Sequence, residues 1–151
     1  MNPETLQLLL SADDTDPDAF YNPAGFDWKK EMDRVRSLKP ELEGILGRSL
    51  ELDDQVQDAS YFAQLAAIVP EQSPGPIETA ISVIFSAFGN LFTVWSNIPG
   101  LVPASTVQSV IVAVQRHDFR YVDGESLSET YSGENPFFQR NNWCYRFFDY
   151  N

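Results

Sequence analysis

Cysteine and histidine are almost absent from this sequence, which contains only Cys144 and His117. A single cysteine excludes an internal disulfide and is typical of a reducing compartment. One cysteine and one histidine are too few for the usual nitrogen and sulfur ligands of a zinc site. A nucleophilic pair would need both residues, but Cys144 lies between Trp143 and Tyr145, a setting typical of a small buried hydrophobe. We therefore expect no catalytic residues and no metal site.

Basic residues are also scarce. The chain has 10 Lys and Arg against 22 Asp and Glu, which gives a formal net charge of −12. Such a field repels phosphate backbones and anionic membrane surfaces, and it speeds the encounter with a cationic partner. We expect no nucleic acid and no membrane among the partners, and a basic protein is the most compatible one.

Long apolar runs and nucleotide-binding glycine motifs are missing. No stretch approaches the roughly 20 apolar residues of a membrane span, and residues 1–10 lack the basic start of a secretory signal, so we expect a cytoplasmic protein. The patterns GxxxxGK[ST] and GxGxxG do not occur, and no cofactor is expected. Asp14, Asp16 and Asp18 alternate like calcium ligands, but the glycine and glutamate that such a loop needs do not follow, which favours a solvated loop.

The composition is that of an ordinary globular domain. The 151 residues are 43% hydrophobic and 13% aromatic, enough for one domain with a sizeable core. Residues 11–25 are polar and acidic and contain Pro17 and Pro23, so we expect residues 1–26 to form an irregular acidic lead-in. Residues 27–151 are expected to form a single α+β domain.

Two helices are predicted from apolar periodicity. Asp27 can cap a helix that Gly47 would end, and Pro40 should kink or split it. Its apolar stripe consists of Trp28, Met32, Val35, Leu38, Leu42, Ile45 and Leu46. A second apolar face predicts another helix over residues 104–116.

Strands are predicted where β-branched and aromatic residues alternate. Residues 58–69 form one strand, and residues 70–76 form a loop. Residues 79–88 and 91–97 form a hairpin around Gly89 and Asn90, a pair that suits the positive φ angles of a tight turn. Two further strands are predicted at residues 119–123 and 142–150. The order predicts an α+β fold: an antiparallel sheet of four to five strands with two main helices packed on one face.

Acidic side chains cluster in two stretches that could form a binding surface. The first acidic group consists of Glu51, Asp53, Asp54 and Asp58, and the second consists of Asp123, Glu125, Glu129 and Glu134. If both lie at one edge of the sheet, they form a negative patch, with Tyr131 and Trp143 as aromatic anchors. The alternative is that the charges are scattered and the aromatics belong to the core. The predicted partner-binding residues are Asp53, Asp54, Asp58, Glu125, Glu129, Tyr131, Glu134 and Trp143.

Three runs carry a resemblance to known proteins: residues 56–62 (VQDASYF), 85–93 (FSAFGNLFT) and 143–150 (WCYRFFDY). They resemble those of small acidic bacterial immunity proteins associated with polymorphic or contact-dependent toxins. The resemblance implies a cytoplasmic, non-enzymatic inhibitor that neutralises a basic secreted toxin by covering its active site or a nearby surface. Two alternatives are a small carboxylate-dependent hydrolase or lyase, and a chaperone or adaptor for a secreted protein.

Overall fold

A computed structural model describes residues 1–69, 79–98 and 100–149. The predicted loop at residues 70–76 lies outside the described residues. The helices are α1 (Pro3–Ala12), α2 (Trp28–Leu46), α3 (Ala104–Gln115), α4 (Gly124–Ser128) and α5 (Trp143–Phe148), with a short 3-10 helix at Pro136–Phe138. The strands are β1 (Glu51–Asp53), β2 (Tyr61–Ile68), β3 (Thr79–Ser86), β4 (Leu91–Trp95) and β5 (Arg120–Tyr121).

The strands form one five-stranded sheet in the order β1-β2-β3-β4-β5. The first four pair antiparallel, whereas β5 pairs parallel with β4, with Leu91 opposite Arg120. The predicted α+β class is confirmed, but the sheet is mixed and not wholly antiparallel. The reason is that α3 is a helical crossover between β4 and β5, and such a crossover returns the chain in the same direction.

Helix α2 begins and ends as its sequence predicts. The Asp27 side chain accepts a hydrogen bond from the backbone N–H of Lys30, and Gly47 ends the helix in the left-handed conformation with a φ of 62°. Pro40 lies inside this continuous helix, so the predicted split does not occur. Met32, Val35, Leu38 and Leu42 of the predicted stripe are buried. Helix α2 packs against α3 and β2.

The predicted hairpin is confirmed as β3 and β4. Gly89 and Asn90 have φ angles of 60° and 56°, and the N–H of Leu91 donates to the carbonyl of Phe88 at 3.1 Å. Two successive positive φ angles match the twist of the flanking strands. Gly89 is further required by space, because a Cβ there would lie 2.4 Å from the Cβ of Ala12.

The predicted strand at residues 142–150 is wrong, since residues 143–148 form helix α5. The Asn142 side chain caps this helix by accepting a hydrogen bond from the N–H of Tyr145 at 2.8 Å. Trp143, Arg146 and Phe147 lie at helical spacing and are buried. One buried face at three- and four-residue spacing stabilises a helix, and it overrides the strand preference of the aromatic residues.

The predicted irregular lead-in is also corrected. Residues 3–12 form α1, which Asn2 caps, and Leu9, Ala12 and Ala19 belong to the hydrophobic core. A buried ion pair holds the following segment, because the Arg146 Nε donates to Asp13 at 2.7 Å. The Tyr131 hydroxyl also donates to Asp13. These contacts fix residues 13–20 against α5, so the core begins at α1 and not after residue 26.

Among the described residues, no helix is both long and apolar enough to cross a membrane.

Candidate functional site

The first acidic group lies at the β1 edge of the sheet. Asp54 is ion-paired with Arg36 of α2 at 2.9 Å, and hydrogen bonds from Gln55 and Arg36 lower the pKa of Asp54. Asp53 is exposed on β1, where its carboxylate accepts the backbone N–H of Gln55 at 3.0 Å. Asp58 is exposed just before β2 and has no ion-pair partner in the described part of the chain. Asp58 therefore presents an uncompensated negative charge.

The second acidic group begins in α4, which follows the other edge strand, β5, and contacts β4 and α5. Glu125 and Glu134 are exposed, whereas Glu129 is ion-paired with the N-terminal amine. Neighbouring strands lie about 4.8 Å apart, so β1 and β5 are separated by roughly 19 Å across the sheet. The structure does not bring the two acidic groups together at one edge.

The two predicted aromatic anchors are part of the core. Trp143 is fully buried and stacks on Phe147 with ring centroids 5.7 Å apart. Tyr131 is buried and hydrogen-bonded to Asp13, and burial, together with that hydrogen bond, raises its pKa above the ordinary range. A side chain enclosed by its own protein cannot contact a partner, so both residues are removed from the candidate binding surface.

A different set of aromatic residues surrounds Asp58. An open groove of about 420 Å³ lies between the segment before α2, the segment before β2, and the end of β3. Five of its lining residues are aromatic, and Asp58 carries the one formal charge among the described lining residues. We call this the aromatic groove. Its lining residues are Tyr21, Asn22, Phe26, Trp28, Val56, Gln57, Asp58, Ala59, Tyr61, Phe62 and Ala87.

The aromatic groove has a rigid base and an exposed rim. Phe62 is buried, and Phe26 packs on it edge to face with ring centroids 5.3 Å apart. Tyr21 and Trp28 remain 38% and 41% exposed at the rim. Aromatic side chains that are exposed together around one groove are typical of interaction sites, and tyrosine and tryptophan carry much of the binding energy at many interfaces.

Sequence reasoning missed Tyr21 and Trp28 as candidate site residues. Trp28 falls in phase with the apolar stripe of α2, so it was assigned to the core. Tyr21 lies within the stretch assigned to the irregular lead-in. The signal that could have found them is the concentration of four aromatic residues within residues 20–28, a segment otherwise rich in polar residues, proline and glycine. Aromatic residues without helical or strand periodicity are poor core candidates.

His117 and Cys144, the two residues that a nucleophilic pair would need, lie in different environments. The His117 ring is hydrogen-bonded to Glu41 of α2, with 2.9 Å between the nitrogen and the carboxylate oxygen. Cys144 lies on α5, where burial raises the pKa of its thiol to about 11. A thiol with such a raised pKa is a poor nucleophile at neutral pH. Within residues 1–69, 79–98 and 100–149, no group of three or more His, Cys, Asp or Glu side chains is placed to hold a metal ion.

Comparison of the chain with protein-family models, curated proteins and solved structures found no match in any of the three.

Proposed function

We propose that this chain is a non-enzymatic binding protein of the immunity type, which neutralises a basic toxin domain by covering its active site or a nearby surface. The observation that carries the proposal is the aromatic groove, where exposed Tyr21 and Trp28 stand beside the uncompensated carboxylate of Asp58. Aromatic side chains on a rigid base supply contact area with little loss of conformational freedom. A charged group beside these side chains favours a partner surface of the opposite charge.

The charge of the whole chain supports a basic partner. A net charge of −12 accelerates association with a cationic protein and opposes association with another acidic surface. Asp53 is exposed on the edge strand β1, and Asp58 precedes the neighbouring strand β2. The carboxylate of Asp53 therefore adds to the negative potential on the side of the sheet where the aromatic groove lies. The second acidic group lies outside the described lining of the aromatic groove and contributes to the long-range field.

The arrangement of carboxylates favours binding over the hydrolase or lyase alternative. The Asp13 carboxylate is hydrogen-bonded to Arg146 and Tyr131, and its side chain is 3% exposed. A carboxylate held by these hydrogen bonds has a structural role. The described lining of the aromatic groove contains a single carboxylate, Asp58, whereas paired acid and base catalysis by carboxylates needs two within reach of one substrate.

The proposal predicts that a gene beside the one for this chain encodes a domain that is toxic to cells, and the test is protection from that domain. Cells would express that domain together with the wild-type chain, with Trp28→Ala/Asp58→Asn, or with the control Trp95→Ala/Asp118→Asn. Trp95 is 36% exposed and Asp118 has a φ of 64°, so the control matches the exposure of Trp28 and the backbone of Asp58. We expect growth with the wild type and the control and loss of growth with the groove variant.

Two results would contradict the proposal. One is equal protection by the groove variant, provided that circular dichroism shows all three proteins folded. The other is that the purified wild-type chain does not bind the neighbouring gene product at low ionic strength, where electrostatic association is strongest.

A further inference from the structure

The aromatic groove combines three features that suit a guanidinium group. Its rim includes the partly exposed rings of Tyr21 and Trp28, its base is the packed pair of Phe26 and Phe62, and Asp58 supplies one carboxylate. Cations are attracted to aromatic faces, and tryptophan gives the strongest attraction. A carboxylate beside such a face adds charge-assisted hydrogen bonds.

We infer that the aromatic groove receives an arginine side chain of the partner protein, with its guanidinium stacked on Trp28 and hydrogen-bonded to Asp58. The inference rests on the proposed function and specifies the chemistry of the partner at that site. Charge complementarity selects the occupant, because the described lining residues include one acidic residue and no basic residue. Lys29, which follows Trp28 in the sequence, is ion-paired with Asp33 at 2.8 Å.

The same chemistry occurs inside this protein. The Arg34 guanidinium lies 4.1 Å from the ring centroid of Phe119, and its Nη1 is 2.6 Å from a carboxylate oxygen of Glu31. An aromatic face and an adjacent carboxylate therefore hold an arginine in this fold. The aromatic groove has both groups at its surface, and its described lining contains no cation.

Arginine fits this pairing better than lysine. The planar guanidinium stacks on a ring while its N–H groups reach a carboxylate at the edge of that ring. A lysine ammonium is a compact and strongly hydrated charge, and it loses more hydration when it approaches an aromatic wall. The arginine preference is thus a consequence of the mixed aromatic and carboxylate lining.

The test is an NMR titration of the isotopically labelled full-length chain. The probes are three pentapeptides, acetyl-Gly-Ser-X-Ser-Gly-amide, in which X is arginine, lysine or citrulline, the neutral isostere of arginine. We expect the arginine peptide to shift the indole N–H signal of Trp28 to saturation and to leave that of Trp95 unchanged. The citrulline peptide should bind about tenfold more weakly, because it lacks the charge that the ring and the carboxylate attract.

Two variants separate the contributions of the ring and the carboxylate. Trp28→Leu should weaken the binding of the arginine peptide about tenfold. Asp58→Asn should bring arginine and citrulline to similar affinities. Asn tolerates the left-handed backbone of Asp58, which has a φ of 54°, so this variant removes charge while it keeps the loop. Asp118→Asn, at a φ of 64°, is the matched control and should leave the affinity unchanged.

The outcomes distinguish this inference from the proposed function. Equal affinity for arginine and citrulline, or tighter binding of lysine than of arginine, would overturn the inference. If Trp28→Leu weakens the cognate partner but Asp58→Asn does not, the binding function stands and the arginine assignment falls. If the peptide results hold but neither variant changes partner affinity, the proposed function falls. Support for both requires the same order of effects with peptide and partner.

Discussion

Replacing Arg146 should destabilise this protein more than any surface substitution. Arg146 is fully buried, and its Nε donates to Asp13 at 2.7 Å. Its other nitrogens donate to the backbone carbonyls of Asp14, Ala19 and Phe20 at 3.4 Å each. The guanidinium also lies 4.1 Å from the ring centroid of Phe88. One side chain therefore joins α5 to the segment that follows α1.

The expected magnitude follows from the charge that Arg146→Met leaves behind. Asp13 would remain a buried carboxylate with Tyr131 as its remaining side-chain donor, and breaking a buried pair on one side costs about 3–5 kcal/mol. For a chain of 151 residues, each kcal/mol lowers the melting temperature by about 2–4 °C. Arg146→Met should therefore melt about 10 °C below the wild type.

A double-mutant cycle separates the charge effect from simple loss of packing. Asp13→Asn and Arg146→Met would be measured singly and together by urea denaturation, with the exposed Arg140→Met as control. We expect the double variant to lose less free energy of unfolding than the sum of the single variants, because neither buried charge is left alone. Additive losses, or a loss below about 1 kcal/mol for Arg146→Met, would refute this account.

Three further predictions concern other sites. Labelling of Cys144 with a thiol reagent at pH 8 should be roughly 100-fold slower in the folded than in the unfolded protein, because its pKa of about 11 lies well above the ordinary value of 9.0. Rapid labelling of the folded protein at pH 8 would contradict the raised pKa. Because the fold favours the neutral thiol, the contribution of Cys144 to stability is present below about pH 9 and is lost as the pH rises towards 11. Gly89→Ala should lower the free energy of unfolding by about 2 kcal/mol, measured by urea denaturation, because it combines a positive φ of 60° with a contact of 2.4 Å to Ala12, whereas Gly44→Ala meets nothing and should not destabilise. Asn142→Ala removes the cap of α5 and should cost about 1 kcal/mol in the same assay, and an unchanged midpoint would argue against the helix.

Local signals were sufficient for much of the fold. The hairpin depends on Gly89 and Asn90, which act through their own φ angles. The bounds of α2 depend on a capping carboxylate at Asp27 and a glycine at Gly47. Each of these signals acts within a few residues, so the sequence alone could place them.

Other features arise from contacts that are distant along the chain. The segment after α1 is ordered because Asp13 is ion-paired with Arg146, which lies 133 residues further along the chain. No local sequence pattern predicts this contact. The parallel pairing of β5 depends on how α3 crosses the sheet. The helix at α5 competes with a strand pattern in the same residues, and the buried face formed by Trp143, Arg146 and Phe147 decides the outcome.

The candidate site was only partly predictable for the same reason. The sequence predicts Asp58 from its charge, but its neighbours in the groove come from segments far along the chain, including the aromatic Tyr21 and Trp28 and the small Ala87. Tyr131 and Trp143 were assigned to the surface because aromatic residues serve both cores and interfaces. Their burial follows from the packing of α5, which was predicted as a strand.

The most direct test of the aromatic groove as a binding surface is the dissociation constant of the neighbouring gene product, measured by calorimetry. Trp28→Leu and Trp95→Leu remove tryptophans of similar exposure from different places. The account predicts at least a tenfold weaker complex for Trp28→Leu, about 1.4 kcal/mol, and wild-type affinity for Trp95→Leu. Equal affinities for both variants and the wild type would contradict it.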